Sequence, residues 1–423
     1  LNSLEKINSL GWTIKKLEET NIEIIDGDRG KNYPKKSEFK SNGYCPFLNN
    51  KNLLGDKISL EEAEFITRER DSLLRKGRIQ FDDIIITTRG SVGNVGLFHR
   101  GLGYDFARIN SGMVILRNFD DDIITEYLYY LLKSPILKTQ YLSMTSGSAQ
   151  PQLPIRDLKK VKLVLPPRSI QEKIVTIISS LERKIDLNNK INITLEKMAF
   201  QLFKNWFKTE RTLKSKLSDL ITLNPRISLK KGTNVSFVDM KALPTNSCSV
   251  QYEDVQYKEF SSGTKFENGD VLFARITPCL QNGKTAIVDF LKEGEIGGGS
   301  TEFLVLRPLE SSCTQYIYCL TRDEDFRRHA EQSMVGTSGR QRVQNQSILD
   351  YEVKLPEPEV MNKFNQLTVK WFELIKTNNI ANYYLRETRD FLLPRLILGE
   401  IDFLEATEKV KEVILNEKPE PSL

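Results

Sequence analysis

From Ile174 to Trp206 apolar residues recur at alternating steps of three and four: Ile174, Ile178, Leu181, Ile185, Leu195, Ala199, Leu202 and Trp206. The seam is narrow, as in a coiled coil, unlike the broad stripe of a helix lying on a core. It predicts one helix over residues 166–208, about 60 Å long at about 1.5 Å per residue. Asn188 and Asn192 are polar members of the same seam. A rod of that length does not fit inside a compact domain, so it is read as holding two parts of the chain apart.

Residues 1–165 carry a different pattern. Asp82-Asp-Ile-Ile-Ile-Thr-Thr-Arg89 reads as a buried strand ending in the turn Gly90-Ser-Val-Gly93. Strands are also predicted at 95–98, 112–117 and 162–166, a helix at 126–132, and a basic, turn-rich loop at Gly27-Asp-Arg-Gly-Lys-Asn-Tyr-Pro34. Tyr127, Tyr129 and Tyr130 read as core residues rather than stacking platforms.

Adding 190 to a residue number often returns the same chemistry. Phe47 falls on Phe237, Leu116 and Arg117 on Leu306 and Arg307, Pro166 on Pro356, and Leu202 on Leu392. Asn188, Asn189 and Asn192 fall on Asn378, Asn379 and Asn382. The strand ending at Arg275 answers the one ending at Arg89 with a shift of 186, which makes those two arginines counterparts. The chain therefore divides into a domain (1–165), a long helix (166–208), a second domain (209–355), a second long helix (356–403) and a frayed tail (404–423). An exposed seam is unstable alone, and its copy offers a partner. The two helices are expected to pair antiparallel, with Asn188, Asn192, Asn378 and Asn382 fixing the register. Leu393-Pro394 is expected to break or kink the second helix, and Gly399 to stop it. The fold class is α+β: two mixed α/β domains separated by an antiparallel coiled coil, with an internal pseudo-two-fold repeat.

Composition narrows the chemistry. The 423 residues are 39% hydrophobic and 28% charged, with a formal net charge of +5. That balance permits a nucleic-acid partner without demanding one. Only His99 and His329 are present, so catalytic triads and imidazole-based metal sites have almost no raw material. The five cysteines form no C-x-x-C pair, which suits free thiols in a reducing cytoplasm. No apolar run is long enough for a membrane span. The chain opens Leu1-Asn-Ser, without a Met or a signal-peptide core, so its natural start is expected to be altered or missing.

Three motifs invite a catalytic reading and fail it. Asn282-Gly-Lys-Thr285 resembles the end of a phosphate-binding loop, but Pro278 stands where the motif needs Gly, and a hairpin turn is preferred. Glu352-Val-Lys354 has the Glu-x-Lys of metal-dependent nucleases without their Pro-Asp pair, and reads as a strand. Asn224-Pro-Arg-Ile is the nearest approach to an adenine-methyltransferase motif and lacks its second Pro and its aromatic residue. Gly297-Gly-Gly-Ser300 is taken as a backbone turn.

At this point the chain resembles the specificity (S) subunits of type I restriction–modification systems. The likeness rests on Gly27-Asp-Arg-Gly-Lys-Asn-Tyr-Pro34, on Asp83-Ile-Ile-Ile-Thr-Thr-Arg-Gly-Ser-Val-Gly93, and on Leu165-Pro-Pro before Ile170-Gln-Glu-Lys-Ile174. Leu392-Leu-Pro-Arg-Leu-Ile-Leu-Gly-Glu-Ile401 completes it. The resemblance implies a non-catalytic subunit whose two target-recognition domains each read half of a bipartite, asymmetric site in double-stranded DNA. It implies a helix pair that sets the distance between halves and docks two methyltransferase subunits, with motor–nuclease subunits completing the enzyme. S-adenosylmethionine, ATP and Mg are then expected on those partners, and no cofactor or metal on this chain. The alternative is a fragment of a single-chain DNA modification or nuclease enzyme lacking its catalytic part; a third reading is a coiled-coil adaptor.

Arg reads guanine and Gln reads adenine in the major groove, while Lys more often meets phosphate. On that basis the DNA-binding candidates in the first half are Arg29, Lys31, Lys35, Lys36, Arg89, Arg108, Gln150 and Gln152. In the second half they are Arg275, Lys284, Arg340, Gln341 and Arg342. The loop Gly147-Ser-Ala-Gln-Pro-Gln152 becomes Thr337-Ser-Gly-Arg-Gln-Arg342 in the repeat, a changed loop on a kept frame.

Overall fold

The computed structural model describes residue 7 and residues 9–415, apart from 55, 56, 148–150, 209–212, 311, 338 and 356. It separates into two units, 1–181 with 387–412 and 182–386 with 413–423.

Each unit is built on the same three sheets. In the first, Thr13–Lys16 pairs antiparallel with Lys162–Leu165. A four-stranded antiparallel sheet follows the order Ile22–Asp26, Met113–Asn118, Ile84–Thr87, Val95–Leu97. A mixed sheet runs Glu64–Ile66, Cys45–Leu48, Ala107–Ile109, Arg78–Ile79, its parallel pair matching Phe47 with Arg108. In the second unit Leu213–Lys216 pairs with Glu352–Leu355. The antiparallel sheet is Ile221–Leu223, Phe303–Pro308, Val271–Ala274, Thr285–Ile287, and the mixed sheet is Gln256–Glu259, Asn234–Val238, Gly297–Gly299, Thr264–Phe266. Its parallel pair matches Phe237 with Gly298, each 190 residues beyond its counterpart. The strands Ile84–Thr87 and Val271–Ala274 are buried at every position, as their unbroken apolar runs require.

Strand pairing corrects the repeat. Leu116 faces Ile84, and Leu306 faces Val271, so this strand repeats with a shift of 187. Asp83 then matches Asp270, and both carboxylates hold the equivalent arginine: Arg117 to Asp83 and Arg307 to Asp270, each at 2.7 Å. Asp82 and Gly269, at φ 68° and 92°, share the left-handed backbone that opens the strand. Arg89 is therefore the counterpart of Ile276, and Arg275 that of Thr88.

Gly297–Gly299 is a second correction: it is an inner strand, not a turn. A Cβ on Gly297 would lie 2.2 Å from the Phe266 ring, and one on Gly298 2.8 Å from the Phe260 ring. Glycine is present because aromatic rings lie directly on the backbone.

The long helices run Arg168–Phe207 and Pro358–Ile397. Ile174, Ile178, Leu181 and Ile185 are buried, as are Ile375, Leu385 and Leu392. In the second unit the asparagines join across the pair. Asn188 Nδ2 donates to Asn382 Oδ1 at 2.9 Å, and Asn382 Nδ2 to Asn189 Oδ1 at 2.8 Å. The repeat-related half reads Asn378 to Asn192 and Asn192 to Asn379, both at 2.8 Å. Rising numbers on one helix meet falling numbers on the other, so the helices are antiparallel there. Four bonds among six asparagine amides in and beside an apolar seam favour this register, since a slip leaves more buried groups unpaired.

Pro394 lies inside the helix without ending it. The helix stops at Gly399, whose φ of 62° lets its N–H reach the Leu396 carbonyl (3.3 Å) and that of Glu400 reach Arg395 (2.7 Å). Beyond it a helix, Phe403–Leu415, stands where a frayed tail was expected. Asp402 Oδ1 accepts from Leu404 N at its start, and Ala406 and Val410 are buried.

Candidate nucleic-acid interface

In both units one loop is stitched to the end of one buried strand. In the first, Ser146 and Gln152 exchange backbone hydrogen bonds of 2.9 Å, Leu153 N donates to Thr88 O at 2.8 Å, and Gly90 N to Pro151 O at 3.0 Å. In the second, Val335 and Arg342 exchange bonds of 3.0 Å, Val343 N donates to Arg275 O at 2.9 Å, and Thr277 N to Gln341 O at 3.1 Å. The stitches correspond with shifts of 187 at the strand end, 190 for residues 151–153 and 189 for Ser146, so the second loop is one residue longer. One frame carries two different loops.

Several candidates gather on this frame. Arg89 donates its N–H to Gly112 O at 3.2 Å, and Asn50 Nδ2 donates to Arg89 O at 2.5 Å. Arg29 reaches the same turn through Ser111 O at 3.4 Å while paired with Asp26 at 3.1 Å. Arg29, Arg89 and Gln152 thus border one edge of the first unit. Lys31, Lys35 and Lys36 are exposed in the adjoining loop. Gln150 lies outside the described residues.

Arg108 does not belong with them. Its side chain is 5% exposed, with Nε on Asp71 Oδ1 at 2.6 Å and its terminal nitrogens on the carbonyls of Lys76, Asp71 and Leu74 at 2.7–3.1 Å. It ties the helix Arg68–Leu73 and the loop after it to the mixed sheet. Lys284 is committed in part, its Nζ on Met240 O at 2.6 Å, and Thr285 Oγ1 donates to Leu272 O. Arg108 therefore holds structure, while the half-buried Lys284 keeps N–H donors beyond the one on Met240 O. The half-buried Arg275 donates to Val343 O at 3.1 Å and fastens the loop instead of extending from it.

Within the second loop the residues divide. Arg342 grips Glu302 with Nε at 2.8 Å and a terminal nitrogen at 2.5 Å, and this hydrogen-bonded guanidinium holds the Glu302 carboxyl below its usual range. Gln341 N donates to Thr277 Oγ1 at 3.2 Å, which leaves its partly buried side chain on a fixed backbone. Arg340 is exposed. Sequence reasoning missed Glu302, Thr277 and Asn50, which hold the loops; an Asn, Thr or Glu at a strand end carries no local sign of that task.

The family described as "Type I restriction modification DNA specificity domain" matches residues 9–197. The MjaIX type I restriction enzyme specificity subunit of Methanocaldococcus jannaschii is 28% identical over 350 residues, spanning 75% of this chain and 77% of that protein. The HindI specificity subunit of Haemophilus influenzae is 22% identical, spanning 89% of this chain and 98% of that one. The first half of the chain matches this family, and the chain is similar over most of its length to type I restriction enzyme specificity subunits. In fold it is similar to the crystal structure of the type I S subunit from M. genitalium, with a TM-score of 0.55 at 12% identity over 91% of this chain and 96% of that one. The matched region covers the first repeat, and the equivalent backbone bonds repeat the same frame in the second. Among the described residues no helix is long and apolar enough to cross a membrane.

Proposed function

We propose that the two α/β domains, 1–165 and 209–355, each read one half of a bipartite, asymmetric site in double-stranded DNA. The observation that carries this reading is the duplicated strand-and-loop frame, whose fixed backbone presents Gln152 with Arg89 and Arg29 in one copy and Arg340 with Gln341 in the other. A fixed frame with altered loops suits two readers of two sequences. Exposed lysines at 31, 35 and 36 suit phosphate contacts that position without specifying. The helix pair sets the distance between the halves and docks two methyltransferase subunits, and motor–nuclease subunits join in the full complex. Catalysis, with S-adenosylmethionine, ATP and Mg, resides on those partners, and this chain has no active site of its own. The assembly works in the cytoplasm.

The test is selection of DNA from a random library by the purified complex of this chain with its cognate methyltransferase subunit. Two short motifs at a constant separation support the reading, and a single uninterrupted motif contradicts it. Alone, the chain is expected neither to consume S-adenosylmethionine nor to cleave DNA with added Mg. Either activity would favour a single-chain enzyme.

A further inference from the structure

The second unit holds two partly buried carboxylates that the candidate reading edge does not use. Glu196, on the first long helix, accepts hydrogen bonds from Cys248 N and from the Tyr318 hydroxyl, both at 2.9 Å. Asp289, just past the strand Thr285–Ile287, accepts from Ser249 Oγ and the Tyr252 hydroxyl, both at 3.2 Å. Lys376 of the second long helix lines the same small cavities as Asp289. Segment 248–252 is thus held from the helix side by Glu196 and from the sheet side by Asp289, and Ile287 N donates to Cys248 O at 2.7 Å.

The other contacts between domain and helices here are mostly apolar, apart from the exposed ion pair of Arg386 with Glu253 at 3.8 Å and, just past the first helix, Lys208 with Asp323 and Asp325 at 2.7 Å. Phe207 meets Tyr316 at 4.8 Å between ring centres, and Phe372 meets Tyr318 at 5.7 Å. Apolar contact is non-directional and tolerates a slide or a small rotation. A carboxylate with two donors does not, because a shift strands a partly buried charge. The position 190 residues beyond Glu196 is Arg386, so the repeat supplies no second carboxylate of this kind.

We propose that Glu196 is a positioning residue that fixes the angle of the second α/β domain on the helix pair and so narrows the DNA spacer length accepted. The proposal rests on the bipartite reading given above. The experiment uses the complex with the methyltransferase subunit and a DNA library in which the two half-sites are held constant and the spacer length varies. Wild-type complex selects one spacer. Glu196→Leu, which keeps bulk and removes the acceptor, raises use of spacers one base pair longer or shorter on the order of tenfold, the ratio one hydrogen bond to a charged group supports. Both half-site sequences stay unchanged. Glu196→Gln restores the single spacer, because its amide oxygen accepts from Cys248 N and its amide nitrogen donates to the Tyr318 oxygen. A Glu196→Leu complex with a spacer preference as sharp as wild type overturns the proposal and leaves the bipartite reading standing. So does one that loses the second half-site, which assigns Glu196 to folding. A wild-type complex without a split motif removes the reading itself and the proposal with it.

Discussion

Arg108 separates a structural arginine from a DNA-reading one, and its removal has a calculable consequence. The Arg108 and Asp71 side chains are 5% and 6% exposed, and four hydrogen bonds leave the guanidinium for Asp71 and three carbonyls. Arg108→Met keeps the stem and leaves the Asp71 carboxylate with Arg78, half-exposed and 3.9 Å away. Breaking a buried pair by deleting one partner costs about 3–5 kcal/mol. At about 2–4 °C per kcal/mol for a domain of this size, the first domain's thermal transition should fall by about 6–20 °C. Adding Asp71→Leu should recover part of the loss, since the stranded charge is gone while three carbonyls remain unpaired. Calorimetry of the three variants measures this, and the salt dependence of DNA binding serves as control. An unchanged transition, with a salt slope reduced by about one and the first half-site lost, would place Arg108 on DNA and refute the reasoning.

Three further outcomes follow from the same geometry. Replacing Arg340 and Arg342 together should change or abolish one half-site only; separately, Arg340→Ala should relax one base position by on the order of 10- to 100-fold, whereas Arg342→Ala and Glu302→Gln should give one shared, broader defect through the loop. A base-by-base binding series checks this, and equal loss at both halves contradicts it. Burial pushes Asp289 up to about 6, above its unfolded value near 3.9, so the folded state holds the extra proton. Stability from this group is therefore full below about pH 4 and lost as pH rises to about 6 and above. Denaturant titrations should show that slope in wild type minus Asp289→Asn, and a flat difference counts against it. Inserting four residues beside Asn188 adds about 6 Å of helix and displaces the asparagine bonds by about a turn. The methylated motif should change spacer, or vanish with the helix pairing, while any half-sites read remain the same.

The long helices were legible because a narrow seam and three repeated asparagines are hard to produce by chance in a packed helix. The bonds from Asn188 to Asn382 and from Asn378 to Asn192 give that signal its physical form. Arg89 and Arg275 look alike in sequence, which puts the apparent strand shift one residue away from the true shift of 187. Its true register is fixed by Asp83 with Arg117 and Asp270 with Arg307, pairs 34 and 37 residues apart in sequence. Arg108 was misjudged for a similar reason. A strand-end arginine reads as a surface charge until Asp71, 37 residues away, folds against it. Three consecutive glycines suggest a turn, and only the Phe266 and Phe260 rings reveal why an inner strand needs them. The terminal helix was hidden by the polar text that follows it, although Phe403, Ala406 and Val410 already stood at helical spacing.

The proposal that two domains on one scaffold read two separated DNA sequences stands or falls on the motif the complex marks. Its most direct test is methylation mapping of a host genome expressing this chain with its cognate methyltransferase subunit, repeated after residues 337–342 are exchanged for the loop of a relative. The account predicts methyladenine in a split motif, with one half replaced by the exchange and the other half and the spacer retained. A stable complex that methylates no split motif, or an exchange that alters both halves together, would contradict it.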